Sequence, residues 1–510
     1  MTMPAAVQEK ESVTQEIGTA VRHSVVYGLG SVLTKALGFF MLPFYTYYLS
    51  PSDYGTLEIL DLSMSLFGMF LNMGMTAALL RSYAAAPSED EQSKVVSTGF
   101  LFTIVTGLIT FFAALHWVTP ASVALLGPAT PSKYLLMSFG SFVLGYITNL
   151  PRTYLLARQA SGAFVLVDTT AVVVMLVLNI YFIAILKIGL MGILLSSLLV
   201  AAAQLLVLSV WTLRNAGLRF SGPLLREMVA FGLPLVFSNL ALFALNFSDR
   251  FFLQRLCSLS VVGIYAVGYK FGFMLNYLLV QPFYVMWQSR MFLVHAHPSH
   301  RTIFAQMFVL FSMVLTYAAL ALSMLSPEIV RFMVGTKYAD SQEVIPIVAA
   351  SYVFCGIGYF VQLGMFVTSR TNLIGIVSAG AAVLNLALNY WLILHYGMIG
   401  AAWATLLSFL AIAAGSYWLS QRVFPLPFAI GRVSVALLLA TGIYIASRFL
   451  PRSLPIALSA KALFLTLFPY ALWKLHVLSP GEMDTIVSTR DRVLTRASQI
   501  AGTLRTAVSL

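Results

Sequence analysis

Few residues in this sequence can do chemistry, and those that can are spaced for binding rather than for catalysis. Glu58, Asp61, Ser65, Gly68 and Asn72 follow one another at intervals of 3-4-3-4, which places them on one face of an α-helix. Lys270, Tyr277, Gln281 and Gln288 follow at 7-4-7. Asn239 and Asn246 stand on one line, with Asp249 and Arg250 flanking it, and Ser24, Gly28, Ser31, Lys35 and Gly38 share a further face. Amides, hydroxyls and isolated charges of this kind can hold a polar solute. No Ser-His-Asp set, phosphate-cradling glycine loop or metal-spaced cluster occurs. An enzyme, a resident cofactor and direct ATP drive are therefore not expected. The run "HAHPSHR", with His295, His297 and His300, has no Cys or carboxylate close by and reads as a solvated basic loop.

The pair Asp249 and Arg250 poses the sharpest local question. Helix neighbours in sequence point about 100° apart, and facing pairs are three or four apart. Each charge is thus expected to need its own partner or water. The predicted arrangement has Asp249 facing inward and Arg250 snorkelling at the rim of a cavity.

The surroundings explain why this matters. Of 510 residues, 59% are hydrophobic and 9% charged, against about 25% charged in soluble domains. Such a chain belongs in a bilayer, so its net charge of +12 reports topology rather than nucleic-acid binding. At about 20 apolar residues per crossing, fourteen spans are predicted. They start near Ser24, Leu57, Val96, Lys133, Phe164 and Gly189, then Glu227, Val261, Ile303, Gln342, Leu373, Met398, Ile430 and Leu454. Cys257 and Cys355 are too few for a disulfide framework, and both are expected buried.

An even span count puts both termini on one side. With that side cytoplasmic, nineteen of the 30 basic residues fall inside and nine outside, the remaining two being Lys35 and Lys270 within spans. This agrees with the positive-inside rule, although Arg448, Arg452 and Lys461 near the last outer loop go against it.

The chain also repeats. "YGLG" at 27–30 matches "FGLP" at 231–234, and "DYGTLEI" at 53–59 matches "VVGIYAV" at 261–267. Arg81 matches Arg290, and "NIYFIAILKIGLMG" at 179–192 matches "NYWLILHYGMIG" at 389–400. The expected architecture is all-α and polytopic, with two homologous six-helix bundles, two additional helices and a central cavity. Its parts are a cytoplasmic tail (1–22), the bundles (23–220 and 221–424), the extra helices (425–478) and an amphipathic tail (479–510). That tail puts Met483, Ile486, Leu494, Ala497, Ile500 and Leu504 on one face, as in a helix lying on the inner membrane surface or binding a partner.

Lipid cannot satisfy the polar stripes, since a charge at the centre of a lone helix costs at least about 2.5–3.5 kcal/mol. The stripes must therefore meet each other or water. Lys35 lies about 16 Å into its span. Two readings of it stand: a structural pair with Asp61, or a role in substrate or ion handling. Asn239 and Asn246 read equally well as cavity groups or interhelical glue, and Gln281, before Pro282, as a group re-satisfying a kinked backbone. The candidate cavity set is Lys35, Asn72, Arg81, Asn239, Asn246, Asp249, Arg250, Lys270, Tyr277 and Gln281.

The segments "LPFYTYYLSPSDYGTLEIL" and "NFSDRFFLQRLCSLSVVGIYAVGYKF", above all Asp249-Arg250 followed by Gly263-Ile264-Tyr265, resemble bacterial polysaccharide repeat-unit flippases. These belong to the multidrug/oligosaccharidyl-lipid/polysaccharide exporter superfamily. The resemblance implies a cavity lined by spans 1, 2, 7 and 8. It also implies transfer of a polyprenyl-pyrophosphate-linked oligosaccharide from the inner to the outer leaflet of a bacterial cytoplasmic membrane. Lys35 and Lys270 would attract the pyrophosphate or acidic sugars. Glu58 or Asp61 would carry a coupling proton or Na⁺, with an ion gradient or the membrane potential as the drive. A monomer is expected, beside membrane lipids and a polymerase or chain-length machinery. A drug or cation antiporter and a peptidoglycan-precursor flippase are the alternatives.

Overall fold

The computed structural model describes residues 37–451, 454–477 and 482. Lys35, the rest of its stripe up to Ser31, and the amphipathic tail beyond Glu482 lie outside the described residues. The chain is all-α. Its helices are α1 (37–48), α2 (Pro51–Asn72), α3 (Met75–Ala85), α4 (Glu89–Leu126), α5 (Ser132–Ala157), α6 (Ser161–Ile180), α7 (Leu190–Ala216), α8 (Gly222–Leu256) and α9 (Leu259–Leu275). There follow α10 (Gln281–His295), α11 (His300–Met333), α12 (Val344–Val361), α13 (Leu363–Val367), α14 (Thr371–Val423), α15 (Ile430–Ser447) and α16 (Leu454–Lys474). Among the described residues, ten helical runs are long and apolar enough to cross a membrane. The protein is a multi-pass membrane protein. Every expected span start among the described residues falls in, or at the edge of, a helix or a helical turn continuous with one; Ser24 lies outside those residues.

Two compact units emerge. The first holds the residues up to Val267 with Val330–Ala339 and Asn389–Met398; the second holds Gly268–Ile329, Asp340–Leu388 and the residues from Ile399 onward.

Local sequence sets where helices begin and break. Ser50 caps α2 through a capping box with Asp53, and Pro51 occupies the first turn, where its missing N–H is no loss. The second span is not continuous: Met73 and Gly74, at φ 45° and 68°, separate α2 from α3. The eighth is interrupted at the matching place, just ahead of Pro282. Ahead of Pro282 the helix widens into a π turn over Asn276–Val280, with the Gln281 N–H reaching the Asn276 carbonyl. A proline ring clashes with the carbonyl four residues back, and the wide turn relieves that clash. It also slips the register, so the 7-4-7 spacing from Lys270 to Gln288 does not form one straight stripe.

The repeat is visible in the backbone. Gly189 has φ 57° and ψ −135°; its repeat partner Gly397 has φ 54° and ψ −134°. Only glycine adopts such angles readily. At Gly397 a kink divides the 53-residue α14 into two helices; unbroken it would run about 80 Å, nearly twice a whole bilayer of roughly 40–45 Å. Buried Asn179 donates to the Tyr45 hydroxyl at 2.7 Å. Its counterpart Asn389, also buried, donates to the Ser248 hydroxyl at 3.3 Å, one residue from the counterpart of Tyr45 at the 204 offset.

Two basic residues that break the positive-inside pattern are neutralised locally. Lys461 lies within α16 and donates twice, at 2.7 Å, to Glu328 of α11. Arg448 pairs with Glu343 at 3.5 Å. Cys355 is buried, whereas Cys257 is exposed in the α8–α9 turn, contrary to the expectation from its apolar neighbours.

Candidate functional site

Within the first unit, α2 supplies a polar wall. Asp61, Ser65, Gly68 and Asn72 line a cleft of about 630 Å³. The opposite wall comes from α5, through Ser138, Ser141, Gly145, Tyr146 and Asn149, with Ser197 added by α7. The α2–α3 break is stitched into this cleft. Asn72 and Asn149 donate to the Thr76 hydroxyl at 3.3 and 3.1 Å. Tyr146 donates to the Leu71 carbonyl at 3.2 Å, one that the break frees from its helical partner, and shares a 2.9 Å bond with Thr106. The cleft is thus a rigid set of hydroxyls and amides with one exposed carboxylate, Asp61. Such a surface suits a solute rich in hydroxyl groups.

The α5 wall is absent from the candidate list, although its signal is present: positions 138, 141, 145 and 149 run at 3-4-4. Small uncharged residues at that spacing are also what helix packing in membranes uses, so only the structure separates the two roles.

Glu58 begins the same stripe but turns elsewhere. It is buried, and its carboxylate lies 3.9 Å from Arg250 Nε. Arg250 is 2% exposed and Asp249 equally so. Each has a partner of its own, as expected, but the two also pair with each other, and Arg250 is buried rather than snorkelling. Asp249 Oδ1 accepts from both the Arg250 backbone N–H at 2.9 Å and its Nη1 at 2.7 Å. The aspartate is short enough to accept from the next residue's backbone N–H, and the arginine long enough to curl back to it. Arg250 Nη1 also reaches the Asn246 carbonyl at 2.8 Å. Tyr265 donates to the other Asp249 oxygen, and the guanidinium sits 5.1 Å from the Tyr265 ring centroid. The pair is a buried clamp joining α2, α8 and α9. Three residues before Glu58 on α2 and two before Tyr265 on α9, repeat partners Gly55 and Gly263 meet. A Cβ on Gly55 would fall 1.8 Å from the Leu259 carbonyl oxygen, and one on Gly263 2.0 Å from that of Pro51.

The remaining described candidates fall in both units. Arg81 is exposed at the end of α3, its guanidinium 4.6 Å from the Phe231 ring. Asn239 is exposed, and Asn246 donates back to the Leu242 carbonyl at 2.8 Å. Lys270 and Tyr277 are exposed on the second unit, and Gln281 is half-buried there behind the π turn.

A family model described as "Polysaccharide biosynthesis protein" matches residues 20–286. That is 267 of 510 residues, more than half the chain. The chain belongs to the polysaccharide biosynthesis protein family. The match takes in both the polar cleft and the Arg250 clamp. Protein 1 of the Lsg locus in Haemophilus influenzae is 24% identical over 248 residues, covering 48% of this chain and 60% of that protein. This family member also shares its fold with solved transporters. The lipid II flippase MurJ in an inward closed conformation superposes with a TM-score of 0.67 at 14% identity, over 89% of this chain and all of that one. An inward-facing multidrug resistance transporter of the MOP superfamily gives 0.59 at 14% identity, over 78% of this chain and 94% of that one.

Proposed function

We propose that the protein flips lipid-linked oligosaccharide repeat units across the bacterial cytoplasmic membrane for polysaccharide assembly. The observation that carries this reading is the polar cleft between α2 and α5. A membrane protein of a polysaccharide biosynthesis family presents there a fixed set of hydroxyls and amides, which lipid tails cannot use and sugars can. Asp61, exposed on the cleft wall, is the carboxylate that sugar hydroxyls or a coupling cation can reach. Glu58, buried against Arg250, instead ties the clamp to the cleft-bearing helix. Lys35 and Lys270 remain candidates for the pyrophosphate, and the drive is an ion gradient or the membrane potential. Both termini face the cytoplasm on this reading, and alternating access moves the headgroup while the polyprenyl tail stays in lipid.

The experiment is deletion in the source bacterium, followed by extraction of lipid-linked sugars. The expected result is loss of surface polysaccharide with accumulation of its polyprenyl-linked repeat unit, restored by the wild-type gene but not by a cleft variant such as Asp61→Leu. Accumulation of the peptidoglycan precursor instead, or raised drug sensitivity with normal polymer, would contradict it.

A further inference from the structure

The two helices beyond the repeat attach to α11 differently. α16 is fixed directly, by the Lys461–Glu328 pair and by Phe468 stacked on Tyr317 at 6.0 Å between centroids. α15 instead leaves a cleft of about 590 Å³ between itself and α11, α12 and α14. Its walls are apolar, with Leu320, Ile347, Phe354, Trp403 and Leu437 among them. At one end stand Glu343 and Arg448, 3.5 Å apart and each about half exposed.

The dimensions are informative. The lining runs along α12 from Glu343 to Phe354 and along α15 from Arg448 back to Leu437. Each stretch is twelve residues, and the eleven rises between its ends span about 16 Å. One leaflet of a bilayer with a core of about 30 Å is as deep. The cleft is therefore an apolar slot one leaflet deep, headed by an acid and a base at the polar boundary.

An acyl chain fills such a slot, and the charges at its mouth select the head. A phosphodiester is drawn to Arg448; a primary ammonium is drawn to Glu343. An anionic head offers Glu343 no cation, and a polyprenyl pyrophosphate brings further negative charge against it. We propose that this cleft binds a zwitterionic aminophospholipid, with its phosphate on Arg448, its ammonium on Glu343 and one chain in the slot, so that lipid completes the attachment of α15. The proposal stands independently of what the transporter carries.

Native mass spectrometry of the full-length protein, titrated with phosphatidylethanolamine, phosphatidylglycerol or polyprenyl phosphate, tests it. The expected result is one retained phosphatidylethanolamine, preferred over phosphatidylglycerol by about fivefold, the scale of a partly exposed ion pair. Glu343→Gln should erase that preference, and Ala440→Phe, which fills the slot, should abolish retention of both lipids. Should Ala440→Phe fail to fold, the half-exposed Glu343→Gln still decides. Equal retention of the two phospholipids by the unaltered protein, an unchanged preference in Glu343→Gln, or displacement by polyprenyl phosphate would overturn the proposal.

Discussion

Arg250 shows how much a single buried charge can organise. Its guanidinium has carboxylates on two sides, Asp249 at 2.7 Å and Glu58 at 3.9 Å, and a tyrosine ring beside it. Removing one partner of a buried pair leaves a desolvated charge, which costs about 3–5 kcal/mol. Arg250→Ala should therefore lower the melting temperature and yield of the purified protein sharply. The double variant Asp249→Ala, Arg250→Ala should melt above the single one; a double variant that melts lower would mean the clamp is not electrostatic. Tyr265→Phe removes one hydrogen bond to a carboxylate, with an expected loss of about 1.5–3 kcal/mol in the same measurement. At this scale the sequence was readable for residue type but not for direction. The Asp249-Arg250 pair stood out at once, yet nothing in the order of letters says that Asp249 accepts from both the backbone and the side chain of Arg250. Likewise Glu58 and Asp61 share a stripe, but one is buried in the clamp and the other exposed on the cleft.

The elements were far more legible, because helix length and apolar runs are enforced by the bilayer itself. The repeat, too, reached the backbone: Gly189 and Gly397 differ by only a few degrees in φ and ψ. Their breaks need glycine for its conformation, whereas Gly55 and Gly263 are glycines for space, with a carbonyl oxygen about 2 Å from where a Cβ would stand. These two causes predict different outcomes. Gly397→Ala should cost about 1–3 kcal/mol of local strain and still yield folded protein by size-exclusion chromatography. Gly55→Ala and Gly263→Ala must push α2 and α9 apart, and the expected result is loss of the monodisperse peak. What the sequence hid at this scale were the interruptions that carry no apolar signature. The Met73–Gly74 break and the π turn before Pro282 both re-aim polar groups, and both shift the stripes that simple periodicity draws straight.

Across the whole chain, charge placement and fold are consistent with one another. Lys461 and Arg448 look like exceptions to the positive-inside rule until Glu328 and Glu343 are found beside them. The shared fold with lipid II flippase and multidrug transporter structures agrees with the all-α, polytopic reading, while the family match makes polysaccharide biosynthesis the setting. The central claim is that the α2–α5 cleft carries the sugar. Its most direct test is a flipping assay in proteoliposomes, using a short-chain polyprenyl-pyrophosphate oligosaccharide whose sugar is labelled from one side only. Wild-type protein should equilibrate the label across the bilayer. Asn149→Leu, which removes a cleft amide, should slow transfer about five- to tenfold, as one lost hydrogen bond implies, with the melting temperature within a few degrees of wild type. Transfer at the wild-type rate by Asn149→Leu and by Ser141→Leu alike would contradict the account.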